Sequence, residues 1–163
     1  MHNFQKLPHI KNERMIKMNE NNELLTYIYQ NAKMGVTSCT NLIKLLNGKD
    51  NKIKKIVEGE LKGYENFVKK SEKLLAKNKI KEPKEKSLMS DIMSKMGMNM
   101  ELMKDNSDAK IADMLTKGFT MGNIDITKKI DRYEKDADKE ILKLAKELLE
   151  FGEKNIELLK PFL

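Results

Sequence analysis

The stretch KMGVTSCTNLI (residues 33–43) returns in altered form as TMGNIDITKKI (residues 120–130). Both stretches carry Met-Gly, a threonine five residues after the glycine, and an isoleucine three residues further on. Self-similarity at one fixed spacing is typical of a repeated structural unit. The offset between the two stretches is 87 residues, which is long enough to separate two pairs of helices.

Other positions agree at the same offset of 87 residues. Glu60 matches Glu147, and the aromatic Tyr64 matches the aromatic Phe151. No gap is needed across two helices and the turn between them. The pattern therefore predicts that a helical hairpin is duplicated within the chain.

Helix-forming residues dominate the 163-residue sequence, and no stretch alternates apolar and polar residues as a strand would. Apolar residues instead recur at steps of three and four, as in the seam of a helix bundle. In the first helix this seam consists of Leu25, Ile28, Ala32, Gly35, Cys39, Leu42 and Leu46. In the second it consists of Ile53, Val57, Leu61, Tyr64, Val68 and Leu75. In the last it consists of Ile141, Ala145, Leu148, Gly152, Ile156 and Leu159.

These patterns predict an all-α fold, a four-helix bundle made of two hairpins. Residues 24–75 and residues 111–162 are the two copies, and a pseudo-two-fold axis is expected to relate them. A long crossover over residues 76–108, which carries a short Met-rich helix, joins the hairpins. We assign residues 20–163 to this single domain and residues 1–19 to a mobile N-terminal arm.

Two hairpins joined by one long crossover resemble the ferritin-like superfamily of four-helix bundles. The resemblance covers about residues 20–160 and rests on architecture. The chain more distantly resembles uncharacterised ferritin-like and spore-coat-type proteins of spore-forming bacteria. The resemblance implies a bacterial ferritin-like bundle.

Di-iron members of this superfamily need one glutamate from each of two helices and a Glu-x-x-His from each of the other two. The predicted first helix, residues 24–46, contains no acidic residue, and the only histidines, His2 and His9, lie in the arm. We therefore expect no bound iron, no other cofactor and no catalytic site. A weaker alternative is a carboxylate-only metal site formed by Glu60 and Glu147 with a third acid.

The third acid of that alternative is Asp125, which lies near the seam of the third helix. The competing interpretation is that all three carboxylates flank the core and reach solvent. Cys39, the one cysteine, lies on the seam of the first helix and is expected to act as a small hydrophobic residue.

Six methionines lie within residues 87–104, and all of them except Met98 line up with Ile92 on one face of a predicted helix: Met89, Met93, Met96, Met100 and Met103. A short helix gains stability only by docking, so we expect Met89, Met93, Met96 and Met100 to pack on the bundle or on a second copy. The alternatives are a partner helix, an apolar ligand, or a Cu(I) site made of thioethers.

The net charge of +7 is distributed over lysines that alternate with acids three and four residues away. This pattern favours a solvated exterior over a nucleic-acid-binding stripe. No run of 18 apolar residues is present, so no transmembrane helix is expected, and a single cysteine fits a cytoplasmic protein. We predict a non-catalytic helical binding or structural protein that assembles with itself or a protein partner. The alternatives are a divergent metal-binding protein, with a carboxylate or Met site, and a basic protein that binds nucleic acid.

Overall fold

The computed structural model describes residues 7–83 and 104–163, with side chains from Asn12 onward. Within these ranges the chain forms four α-helices, one short 3₁₀ helix and no strand, which confirms the predicted all-α four-helix fold. The helices are α1 (Leu7–Leu45), α2 (Lys54–Lys77), α3 (Asp108–Tyr133) and α4 (Lys139–Leu159), followed by the 3₁₀ helix Lys160–Phe162.

The helices pair as two hairpins, α1 with α2 and α3 with α4, and α4 also packs on both α1 and α2. Gly48 adopts the left-handed conformation (φ 76°) in the turn between α1 and α2, where a residue without a side chain is favoured. Ser107 caps α3, because its Oγ atom accepts a hydrogen bond from the main-chain N–H of Lys110 at 3.3 Å.

Hydrogen bonds at the two ends of the bundle show at which end each helix begins and ends. At one end Asn51, in the α1–α2 turn, donates to Asp108 Oδ1 at the start of α3 (2.8 Å). At the other end the main-chain N–H of Asp138 donates to Asn21 Oδ1 (2.7 Å). Helix α2 therefore ends at one end of the bundle and α3 begins at the other, as a long crossover between them requires.

Helix α1 begins well before the bundle. The sequence analysis placed residues 1–19 in a mobile arm, but α1 starts at Leu7 and residues 12–19 are helical and exposed. No glycine or proline occurs between His9 and Glu23, so nothing in this stretch breaks the helix. The segment therefore starts α1 well before residue 24, where the predicted first helix began.

The predicted seams of α1 and α4 agree with the observed core. All seven residues predicted for α1 are buried, and in α4 only Ile156 is half-buried rather than buried. None of the helices in residues 7–83 and 104–163 is long and apolar enough to span a membrane.

The seam of α2 differs from its prediction. Ile53, Val57 and Leu75 are buried as predicted, but Leu61, Tyr64 and Val68 are only half-buried. The other buried positions of α2 are Glu60, Phe67 and Ser71, which the predicted seam did not include. Tyr64 and Phe67 pack against the ring of Phe151 on α4, with centroid distances of 5.0 and 5.4 Å. Helix α2 is therefore rotated toward its aromatic residues, and this rotation brings two polar side chains into the interior.

Candidate functional site

A cavity of about 100 Å³ lies inside the bundle, and all four helices contribute to its wall. Much of the wall is apolar and comes from Met34, Met114, Phe119, Ile126, Leu148 and Phe151. The polar residues of the wall are Asn31, Ser38, Cys39, Glu60, Tyr64 and Asn123. Several lining residues of α1 and α3 are half-buried, so solvent reaches the cavity between these two helices.

Small residues keep this space open. Gly122 of α3 lines the cavity, and a Cβ atom added there would meet only Asn31 Nδ2, at 3.9 Å. Gly35 of α1 has a different role, because an added Cβ atom would lie 2.5 Å from ring carbons of Tyr64. The missing side chain at Gly35 thus admits the Tyr64 ring, whereas the one at Gly122 leaves volume unfilled.

Glu60 is the central polar group of the site, and its side chain is only 1% exposed. Cys39 Sγ donates a weak hydrogen bond to Glu60 Oε2 at 3.8 Å. The other oxygen, Oε1, has no hydrogen-bond partner among the described residues. Burial raises the pKa of Glu60 from its usual value of 4.5 to about 8, so the carboxyl group is mainly protonated at neutral pH.

Cys39 is also inside the protein, at 1% exposure. Burial, and secondarily the neighbouring Glu60, raise the pKa of the Cys39 thiol far above its usual range. A thiol that reacts as a nucleophile needs the opposite shift, because the thiolate is the reactive form. Cys39 therefore acts as a small buried side chain and a weak donor to Glu60, which agrees with its predicted position on the seam.

Three aromatic rings form one side of the cavity. The Tyr64 ring stacks parallel to Phe119 at 6.1 Å and meets Phe151 edge-on at 5.0 Å. Phe119 and Phe151 are also edge-on to each other, at 6.0 Å. Each ring is thus held by the other two, and the cavity has one rigid apolar wall.

The structure does not bring together the three carboxylates of the alternative metal site. Glu60 faces the cavity, Asp125 is exposed on α3, and Glu147 forms an ion pair with Lys70 at 3.2 Å. In the part of the chain that the structure describes, no three His, Cys, Asp or Glu residues cluster closely enough to hold a metal ion. One member of the carboxylate-only alternative thus lines the cavity, and the other two point to solvent or to a lysine.

The Met-rich segment cannot be compared with its prediction, because Met89, Met93, Met96 and Met100 lie outside the described residues. The cavity itself has two other methionines, Met34 and Met114. Sequence reasoning missed both of these and the cavity. The available signal was the occurrence of glycines on helices that face each other, such as Gly35 of α1 and Gly122 of α3.

Comparison with known proteins gives no match to a family model, a curated protein or a solved structure. The site is therefore interpreted from its own geometry. Two properties define it: an interior space with a largely apolar wall, and one buried carboxyl group with an oxygen that no described residue satisfies.

Proposed function

We propose that this chain is a non-catalytic binding protein on a ferritin-like frame, and that its interior cavity receives a small ligand. The observation that carries the proposal is the cavity of about 100 Å³ lined in part by Glu60, whose buried Oε1 atom has no hydrogen-bond partner among the described residues. An unsatisfied buried oxygen costs free energy, and a ligand that pairs with it would recover part of that cost.

The size of the cavity limits the size of the ligand. An apolar cavity of about 150 Å³ is known to hold benzene or xenon in another protein. A cavity of about 100 Å³ would then hold roughly four or five non-hydrogen atoms. The ligand would be a compact molecule that is apolar over most of its surface and has one polar group.

The protonation states in the site favour binding over catalysis. The Cys39 thiol is held in its neutral form, so a covalent intermediate on sulfur is disfavoured. Glu60 is mainly protonated at neutral pH and is a weak base in that form. Both groups are suited to hydrogen bonding.

The ferritin-like frame and its internal repeat are part of the proposal. Two cross-hairpin hydrogen bonds support the repeat: Asn51 contacts Asp108, and Asp138 contacts Asn21. Asn51 and Asp138 are 87 residues apart, and so are Asn21 and Asp108. The same pair of positions is therefore in contact at each end of the bundle, as a pseudo-two-fold axis would require.

A cavity-filling variant tests the proposed binding. Gly122→Leu is expected to place its side chain in the cavity, whereas Gly59→Leu is a control at a helix position with no atom within 4 Å of an added Cβ. Four probes of equal size would be titrated by NMR: butanone, isopentane, butylamine and propanoate. We expect at least one probe to shift signals of cavity residues in the wild type and in Gly59→Leu, but not in Gly122→Leu. Binding of none of them to the wild type, or equal binding to Gly122→Leu, would contradict the proposal.

A further inference from the structure

We infer that the ligand is a small neutral molecule with a hydrogen-bond acceptor, such as a ketone or amide carbonyl, and that Glu60 Oε1 donates a hydrogen bond to it. This inference rests on the proposed function, since it names the class of molecule that the cavity selects. It follows from the contacts of the two Glu60 oxygens, from the groups that face them, and from the remaining wall of the cavity.

The two oxygens of Glu60 have different surroundings. Oε2 accepts a hydrogen bond from the Cys39 thiol, so it has the role of the carbonyl oxygen of a neutral carboxyl group. The proton of that group then belongs on Oε1, the atom without a partner in the described chain. A hydroxyl in this position is a donor, and its complement is an acceptor on the ligand. A neutral carboxyl group in an apolar site is known to serve as a donor in this way.

The ionisable groups around Glu60 favour its neutral form. Cys39 from α1 and Tyr64 from α2 line the cavity, and burial raises the pKa of each of them. The lining residues that α3 and α4 contribute carry no ionisable side chain. An anionic ligand would thus meet no positive charge in the wall. A cationic ligand would first require Glu60 to lose its proton, at a cost in desolvation.

The rest of the wall accepts hydrocarbon. The Phe119 and Phe151 rings and the side chains of Leu148 and Ile126 would contact the carbon skeleton of the ligand. A molecule with one acceptor and a short alkyl group therefore satisfies both parts of the wall. A second charged or strongly polar group would be buried without a partner there.

The test compares the four probes above, each with five non-hydrogen atoms, at pH 6 by NMR titration. We expect the wild type to bind butanone roughly fivefold or more tightly than isopentane, the gain typical of one hydrogen bond. Glu60→Met, which has no donor, should lose this preference. Glu60→Gln, which keeps an N–H donor, should retain it. Above about pH 8 the preference should decline in the wild type but persist in Glu60→Gln, because only the wild-type group ionises.

Isopentane or butylamine binding as tightly as butanone would overturn the inference and leave the proposed binding function intact. The same holds if Glu60→Met keeps the preference for butanone, or if propanoate binds best. Failure of all four probes to bind the folded wild type would instead overturn the proposed function, and the inference with it. Circular dichroism of each variant establishes that a lost signal does not reflect unfolding.

Discussion

The hairpins α1–α2 and α3–α4 place matching glutamates in opposite environments. Glu60 is buried against the cavity, whereas Glu147 is half-buried and paired with Lys70 across the α2–α4 contact. The position that matches Lys70 in the second half is Glu157, which pairs with Lys160. The sequence thus offers a cation to one glutamate and an acid at the equivalent position for the other. The two halves therefore differ in the charge available near the matching glutamates.

The matching glycines differ in the same way. A Cβ atom added at Gly35 would lie against the Tyr64 ring, whereas one added at Gly122 would meet, among the described residues, only Asn31, at 3.9 Å. The first hairpin is therefore packed tightly where its glycine occurs, and the second is left open toward the cavity. Similar sequences in the two halves therefore differ locally, with close packing at Gly35 and open space at Gly122.

The largest effect is expected for Glu60→Gln, in the pH dependence of its free energy of unfolding. Between about pH 4.5 and pH 8 the unfolded chain has lost the Glu60 proton while the folded chain still holds it, so rising pH destabilises the folded wild type. The slope approaches about 1.4 kcal/mol per pH unit. We expect the stability of Glu60→Gln relative to wild type to rise by about 2.5 kcal/mol from pH 5 to pH 7. Urea denaturation at each pH measures the change.

The matched control is Glu147→Gln, which removes the carboxylate at the matching position, where it is paired with Lys70 rather than buried. Parallel pH profiles for wild type and Glu60→Gln would show that the two glutamates do not differ in the way described.

The next test exchanges each glycine for alanine. Gly35→Ala would force a Cβ atom against the Tyr64 ring, which Phe119 and Phe151 hold in place, and we expect a loss of ~1–3 kcal/mol. Gly122→Ala has room for its Cβ atom and should gain up to ~1 kcal/mol from helix propensity. Thermal denaturation measures both effects.

The reference for that pair is Gly59→Ala, since nothing lies within 4 Å of its added Cβ atom and only helix propensity changes. Equal effects of alanine at positions 35 and 122 would remove the proposed asymmetry between the hairpins.

The smallest effect is expected for Glu147→Gln itself. Its ion pair with Lys70 is partly exposed, with 34% of the Glu147 side chain and 47% of the Lys70 side chain accessible. Such pairs contribute less than ~1 kcal/mol and weaken in salt. A double-mutant cycle with Lys70→Gln at low and high salt measures the coupling. A coupling energy well above 1 kcal/mol that salt does not reduce would mean that Glu147 is shielded from solvent like Glu60, which would contradict the contrast between the two glutamates.

The sequence predicted much of the fold because apolar spacing and capping residues are local signals. The seam of α1, for example, follows from residues near each other in the chain. The start of α1 was missed because a polar stretch gives no periodicity, although it contains nothing that ends a helix. The spacing of apolar residues reveals only helices that bury one face, so it does not predict an exposed helical segment.

The site was only partly predictable. Glu60 was named as a candidate ligand from its place in α2, but its burial was not predicted. Apolar periodicity assigned the buried seam position to Leu61 rather than to the adjacent Glu60. Its burial depends on the contacts that Tyr64 and Phe67 make with α4. Those contacts join residues far apart in the chain, and one sequence alone does not specify them.

A wall built from all four helices also constrains when the cavity exists during folding. Contacts within each hairpin are local and are expected to form early, whereas the hydrogen bonds that tie one hairpin to the other join residues 57 and 117 positions apart. The cavity is completed only when the hairpins dock, so a ligand has little to bind before that step. A bound molecule should therefore slow unfolding and leave the refolding rate almost unchanged.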